Sequence, residues 1–266
     1  MSGHFRPAVG LTFALAIFFH PPPPLRQAAA RSERPAAASL ASGAVARRAA
    51  PAALASALDN AGRAAPDDAD RTALEWARLL MESVRSASYP ELKGADIRVR
   101  LFRSDRDFFR TRFDAARFLA GLKMRFFVEV NPRAFELRAP EEGLRAIMAH
   151  ELGHVFYFTR GPRVRLLGLV RLASKGYTAR FERRTDLEAI SRGYAAGLIE
   201  YRRWLYHNVP AGQSAKKMRD YFSPEEVEAL LSVMRCRPEA LGYWLKHVPR
   251  NLGEIQSYDA LAHRRK

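Results

Sequence analysis

Residues 150 to 154 read His-Glu-Leu-Gly-His. On an α-helix, positions four apart lie about 40° apart around the axis, so both imidazoles project to one side and can chelate a single metal ion. Imidazole nitrogen is a suitable zinc ligand. Glu151 is rotated away from both histidines and reaches a water beside the metal, which is where a general base is needed. The flanks Ala146-Ile147-Met148-Ala149 and Val155-Phe156-Tyr157-Phe158 carry no charge, so this helix reads as buried nearly all round. Burying two histidines and a glutamate there is costly unless they are paired or metal-bound.

A catalytic zinc needs a third protein ligand and an open position. The chain has one cysteine, Cys236, which excludes an intramolecular disulfide and a cysteine-based zinc site. Cys236 itself stands in an apolar, helical context and reads as a buried core thiol. A third histidine six residues after His154, with a glycine between, is also excluded: those positions are Arg160 and Tyr157. A carboxylate from a later helix is the other arrangement. Glu182-Arg183-Arg184-Thr185-Asp186 puts two carboxylates one turn apart on one face. Ala189, Gly193, Ala196 and Gly197 follow on that face. Small residues there let the helix press against the histidine helix and bring Glu182 to the metal, with Asp186 placed to hydrogen-bond a ligating imidazole. Glu188 and Glu200 are rival third ligands. Glu188 faces elsewhere on the helix, and Glu200 lacks a following carboxylate.

Several elements must position these groups. Leu74, Ala77, Leu80, Met81 and Val84 recur at helical spacing, with Asp68 or Asp70 as cap. Ile97, Val99 and Leu101 alternate with Arg98 and Arg100, the pattern of a half-buried strand. Asp105 to Leu122 reads as a helix, with Phe108, Phe109, Phe113, Ala116 and Leu119 near one face. Met124 to Val130 is the strongest strand, being aromatic and β-branched. Pro140 with Glu141 and Glu142 opens the histidine helix, which runs to about Phe158. A second long helix is expected over Ala179 to Tyr206. Ser223-Pro224-Glu225-Glu226 is a capping box that starts another, and Leu241 to Lys246 forms a short last one.

The 266 residues are enough for one domain with appendages. Residues 1–30 read as a signal peptide or N-terminal anchor. His4 and Arg6 precede an apolar run from Val9 to Phe19, too short for a spanning helix, and no Asp or Glu occurs before residue 31. Residues 31–66 are rich in Ala, Pro and Arg and read as a flexible segment. The domain proper is expected over 67–266. An exported, periplasmic or secreted location follows from the leader.

With 44 Lys and Arg against 28 Asp and Glu the net charge is +16, which favours anionic partners such as a membrane or envelope surface. Nucleic acid is supported by charge alone, with no aromatic RNA-binding motif or Cys/His finger beside it. The stretch from Arg163 to Lys175 mixes Arg with Leu and Val and reads as an interfacial helix, a lid or a core-covering helix.

At these residues the chain resembles the gluzincin metallopeptidases. The resemblance rests on His150-Glu151-Leu152-Gly153-His154, on Glu182 to Asp186, and on the strand Met124 to Val130 ahead of the histidine helix. It implies an α+β, helix-rich, zincin-like domain with a small β-sheet, and one zinc ion on His150, His154 and Glu182. It further implies Glu151 as general base, Asp186 orienting His150, and a peptide or protein substrate held along a sheet edge, for which Met124 to Val130 is the candidate. Tyr194, Tyr201, His207 and His247 are candidates to steady an oxyanion. Two other readings stay open: an amide or ester hydrolase that is not a protease, and a non-catalytic zinc-containing protein bound to the envelope.

Overall fold

The computed structural model describes residues 66–160 and 175–258. The expectations for residues 1–65 and for the basic stretch that ends at Lys175 fall outside them. The described chain is α+β: helices pack around a small three-stranded mixed sheet. No described helix is long and apolar enough to cross a membrane.

Helix α1 (Pro66–Ser88) buries Ala73, Trp76, Ala77, Leu80, Met81 and Val84, the three-four spacing of a single apolar stripe. It begins at Pro66, so Asp68 and Asp70 lie inside its first turns and do not cap it. Asp70 instead accepts a hydrogen bond from Arg103 at 2.8 Å.

The sheet runs in the order β1 (Asp96–Leu101), β3 (Arg125–Val130), β2 (Phe109–Phe113), with β1 parallel and β2 antiparallel to β3. The chain leaves β1, returns as β2 and fills the gap with β3. Asn131, just past β3, holds the β1–β2 loop in place. Its side-chain amide donates to the carbonyls of Ser104 (2.6 Å) and Asp107 (3.0 Å). β3 is buried on both faces, which suits the apolar Phe126-Phe127-Val128 at its centre, and Glu129 is paired with Arg110.

Two expectations change here. The helix over Asp105 to Leu122 is absent, and its place is taken by β2 and the short helix α2 (Ala115–Leu119). Phe109, Thr111 and Phe113 alternate with Arg110 and Arg112, and that period of two prevails because β3 offers a ladder of partners. The peptide-holding edge cannot be Met124 to Val130, because β3 is the central strand. The edge beside the histidine helix is β2.

After the short α3 (Arg133–Glu136) come α4 (Glu141–Arg160) and α5 (Lys175–Ser191). Next are α6 (Ala195–Asn208), α7 (Ala211–Asp220), α8 (Pro224–Cys236), α9 (Ala240–Trp244) and α10 (Leu252–Gln256). Helix α4 is the core element. It buries Gly143, Leu144 and everything from Ala146 to Phe156, and packs against α1, α5, α6 and β2. The capping box at Ser223 and Glu226 is present at the start of α8. Cys236, at the end of α8, is exposed and not in the core.

The single helix expected over Ala179 to Tyr206 is two helices. Gly193 sits between them at φ +91, a conformation other residues rarely adopt. The break lets α6 turn back along α4. There Gly197 meets α4 so closely that a Cβ would overlap the Glu142 carbonyl oxygen and stand 2.8 Å from the Ala146 Cβ. Gly193 and Ala196 make no such approach: a Cβ on Gly193 would meet nothing within 4 Å, and Ala196 is exposed.

Gly197→Ala forces α6 away from rigid backbone and should lower stability by about 1–3 kcal/mol. Urea unfolding followed by circular dichroism would show a lower midpoint at unchanged slope. An unchanged midpoint would mean that α6 can withdraw freely.

Candidate metal centre

Helix α4 presents His150 and His154 on one side, as their spacing requires. Both are buried, at 1% and 7% exposure. Helix α5 crosses at this level and supplies Glu182. The approach depends on Gly153, the fourth residue of the motif. A Cβ there would stand 2.9 Å from the Thr185 methyl of α5, so any larger residue pushes against the turn that carries Glu182.

The three side chains converge tightly. Glu182 Oε2 lies 3.1 Å from His150 Nε2 and 3.2 Å from His154 Nε2, and the two Nε2 atoms are 3.1 Å apart. Ligand atoms about 2.0–2.1 Å from a tetrahedral zinc stand roughly 3.3 Å from one another. The observed triangle has the size of one face of that tetrahedron. Glu188 and Glu200 do not join it. Glu188 accepts from the Tyr157 hydroxyl at 3.1 Å and from Arg192 at 2.7 Å, and Glu200 is exposed.

The far sides of the rings set their protonation. His150 Nδ1 donates to Asp186 Oδ1 at 2.7 Å. Thr185 Oγ1 gives its own proton to the Phe181 carbonyl (3.0 Å), so at 3.4 Å from His154 Nδ1 it can only accept. In their neutral forms both imidazoles would therefore turn an Nε2 lone pair toward Glu182. Three electron-rich atoms facing one point need a cation. Burial by itself pulls the His150 pKa down, but the carboxylates of Asp186 and Glu182 override it and hold it up at about 9. Burial likewise opposes ionisation of Glu182, yet the two histidines bring its pKa far below the usual carboxylate range.

Charge accounting agrees with the donor set. Asp186 is cancelled by Arg202, which is buried and donates to Asp186 Oδ1 at 3.0 Å. Glu182 and Glu151 then leave two negative charges, which one divalent cation neutralises. The residues therefore fit a zinc ion.

Glu151 sits apart from the triangle. Its Oε2 accepts from the Thr111 hydroxyl at 2.8 Å, so the free edge strand β2 positions it. Together they border a cleft of about 400 Å³ whose lining includes His154, Glu182 and Tyr221, with Phe113, Phe158 and Phe181 as an aromatic wall. A larger cleft of about 660 Å³ opens on the other face of α5, beside Arg180, Arg219 and His247. Among the described residues it brings together no set of three metal-ligating side chains.

Four named residues do not reach the centre. Tyr194 OH is bonded to Ser88 Oγ at 2.8 Å, Tyr201 is packed between Phe109 and Trp204, His207 is exposed, and His247 borders the other cleft. Tyr221 lies beside the centre instead. Its ring lies 5.7 Å from His150. Burial, with Glu182 next, pushes its hydroxyl well above the usual pKa, so it stays an O–H donor. Nothing in its neighbourhood in the chain marks it, except that it directly precedes Phe222, whose backbone N–H donates to Asp186 Oδ2 at 3.1 Å.

Compared with known proteins, the chain matches no family model, no curated protein and no solved structure. The function has to be argued from this site.

Asp186→Ala should destabilise the chelator-treated protein by about 3–5 kcal/mol, because it strands the Arg202 charge in the core. Asp186→Ala/Arg202→Met should recover much of that loss. Urea unfolding of the two variants decides, and equal destabilisation in both would mean the pair carries no such charge penalty.

Proposed function

We propose that this chain is a zinc-dependent hydrolase of the gluzincin type, a metallopeptidase that cleaves extended peptides. The observation that carries the reading is the triangle of His150 Nε2, His154 Nε2 and Glu182 Oε2, with edges of 3.1–3.2 Å. A zinc ion held there supplies a Lewis acid that lowers the pKa of water toward neutrality and polarises a carbonyl. The remaining roles fall to the chain's own residues.

Glu151, oriented by Thr111, takes the proton of the attacking water on its carboxylate and returns it to the leaving nitrogen. Tyr221, kept protonated, donates to the oxygen on which charge develops. Asp186 fixes the tautomer of His150, and Arg202 holds Asp186.

Strand β2 accounts for the substrate class. Phe108 O bonds the Asn131 N–H and Asp114 N–H bonds the Arg125 carbonyl. The antiparallel alternation then turns the backbone groups of Phe109, Thr111 and Phe113 outward, to the free edge. An extended peptide can pair there and pass Glu151. An amide or ester hydrolase of other substrates would share the metal centre, but it has no use for an open strand edge beside it.

The decisive measurement is the metal content of the purified protein together with hydrolysis of a denatured protein substrate. One zinc per chain is expected, lost in Glu182→Ala. Glu151→Gln should keep the metal and lose about 10²–10⁴-fold in rate. Tyr221→Phe should keep the metal and lose about 10²–10³-fold in kcat. A folded wild-type protein that neither takes up zinc nor hydrolyses would return His150 and His154 to the status of core residues.

A further inference from the structure

The hairpin that joins β2 to β3 is rich in cations and poor in acids. Between Arg110 and Arg125 stand five cations, Arg110, Arg112, Arg117, Lys123 and Arg125, against one carboxylate, Asp114. Asp114 is spent as the N-cap of α2, accepting from the Arg117 N–H at 3.1 Å. At the tip, Gly121 turns the chain at φ +70. On either side of it Leu119 and Leu122 face solvent, 80% and 50% exposed. Two leucines at a loop tip gain nothing in stability from water contact.

The apolar surface does not end at the tip. Phe118 meets Phe113 edge-on at 5.8 Å, Phe113 meets Phe158 at 6.2 Å, and Phe158 stacks on His154 at 6.3 Å. A continuous aromatic path therefore runs from the hairpin into the cleft. The outer face of the sheet beside it is cationic. Register places Arg98 and Arg112 on either side of Phe127, and Arg100 and Arg110 on either side of Glu129. Arg98 and Arg112 are well exposed, and Asp96 and Glu129 are the acids that face these arginines.

We infer that the β2–β3 hairpin docks on an anionic phospholipid bilayer. Leu119 and Leu122 enter the acyl boundary, Arg117 and Lys123 with the neighbouring sheet arginines meet the headgroups, and the aromatic path opens the cleft toward the membrane surface. Exposed apolar side chains ringed by cations are the chemistry of interfacial binding. A second copy of this chain is a poor occupant, because two such cationic surfaces repel. A nucleic acid would be met by aromatic faces and not by leucines. The inference does not depend on the hydrolase reading, since it concerns a surface and not the metal centre.

The test is co-sedimentation of the full chain with vesicles of phosphatidylcholine alone, and of phosphatidylcholine mixed with phosphatidylglycerol, at low and raised salt. Binding is expected to the anionic vesicles only and should weaken with salt. Leu119→Ser/Leu122→Ser should weaken it by about tenfold or more. Arg117→Ser/Lys123→Ser should weaken it by several-fold and reduce the salt dependence. Leu79→Ser, which removes an equally exposed leucine from α1 (68% exposed), should bind as wild type does. The comparison between leucine variants is the deciding one, because the apolar run at residues 9–19 could bind lipid by itself. Wild-type binding that survives Leu119→Ser/Leu122→Ser unchanged overturns the inference, as does no binding at all. A wild-type dimer in sedimentation that the same leucine changes dissociate, without vesicle binding, would assign the tip to a second copy and overturn it as well.

Discussion

One buried carboxylate ties the centre together. Asp186 is 1% exposed, and an ion taken that far from water is tolerated only if its oxygens are filled. They are filled from three other segments. His150 of α4 and Arg202 of α6 donate to Oδ1, and the Phe222 backbone N–H ahead of α8 donates to Oδ2. A shift of any of these segments leaves a charge or a polar group unpaired in the core. The orientation of the His150 ring is therefore set by the same bonds that hold α5, α6 and the start of α8 in place. The arrangement carries some cost. Arg202 Nε is buried with no hydrogen-bond partner among the described residues, so the guanidinium is satisfied mainly on the side that faces Asp186.

The outside of α4 is braced in the same way. Tyr89 OH donates to the Ala149 carbonyl at 2.7 Å, next to His150. Arg192 lies over the Tyr89 ring at 3.9 Å and is tethered to Glu188, Glu91 and the Ser88 carbonyl. This cluster uses the carboxylate of Glu188, the rival third ligand, for structure. Glu182 is then left as the acid of α5 that faces the Nε2 atoms of both histidines. The site is thus selected by packing as much as by spacing, since the turn of α5 at Thr185 can approach α4 only where Gly153 leaves room.

How much of this was legible follows from the range of the interactions involved. His150, Glu151 and His154 are a local helical pattern, and Glu182 with Asp186 is a second one, so both could be read from residue types and a period of 3.6. Small residues point to a close approach to α4, and Gly197 makes one, but from α6 and away from the site. Gly193 breaks the helix, Ala196 faces solvent, and the close contact at the site is made by Gly153. Strand β2 was misread because its phenylalanines fit a helical stripe as well as a strand, and the partner that decides between them, β3, lies further along the chain. Thr111, Arg202 and Tyr221 left no signal at all. Each acts on the site through a contact made across the fold, and a threonine, an arginine and a tyrosine are ordinary residues until that contact exists.

The electrostatics of the centre run against those of the chain. A protein of net charge +16 has gathered Glu151, Glu182 and Asp186 around two histidines, with Arg202 bonded to Asp186. Anionic groups concentrated in a cationic body gain attraction from the surroundings, so the cluster costs less here than it would in an acidic protein. That attraction is diffuse and cannot replace a charge at the point where the lone pairs meet. Without a metal ion, a proton on His150 is the nearest substitute, which is the physical content of its pKa standing at about 9. Proton and divalent cation therefore compete for one position. Stability drawn from that proton is complete below the ordinary histidine pKa of 6.5 and fades as pH rises through about 9. Stability drawn from a bound cation instead grows as the proton leaves.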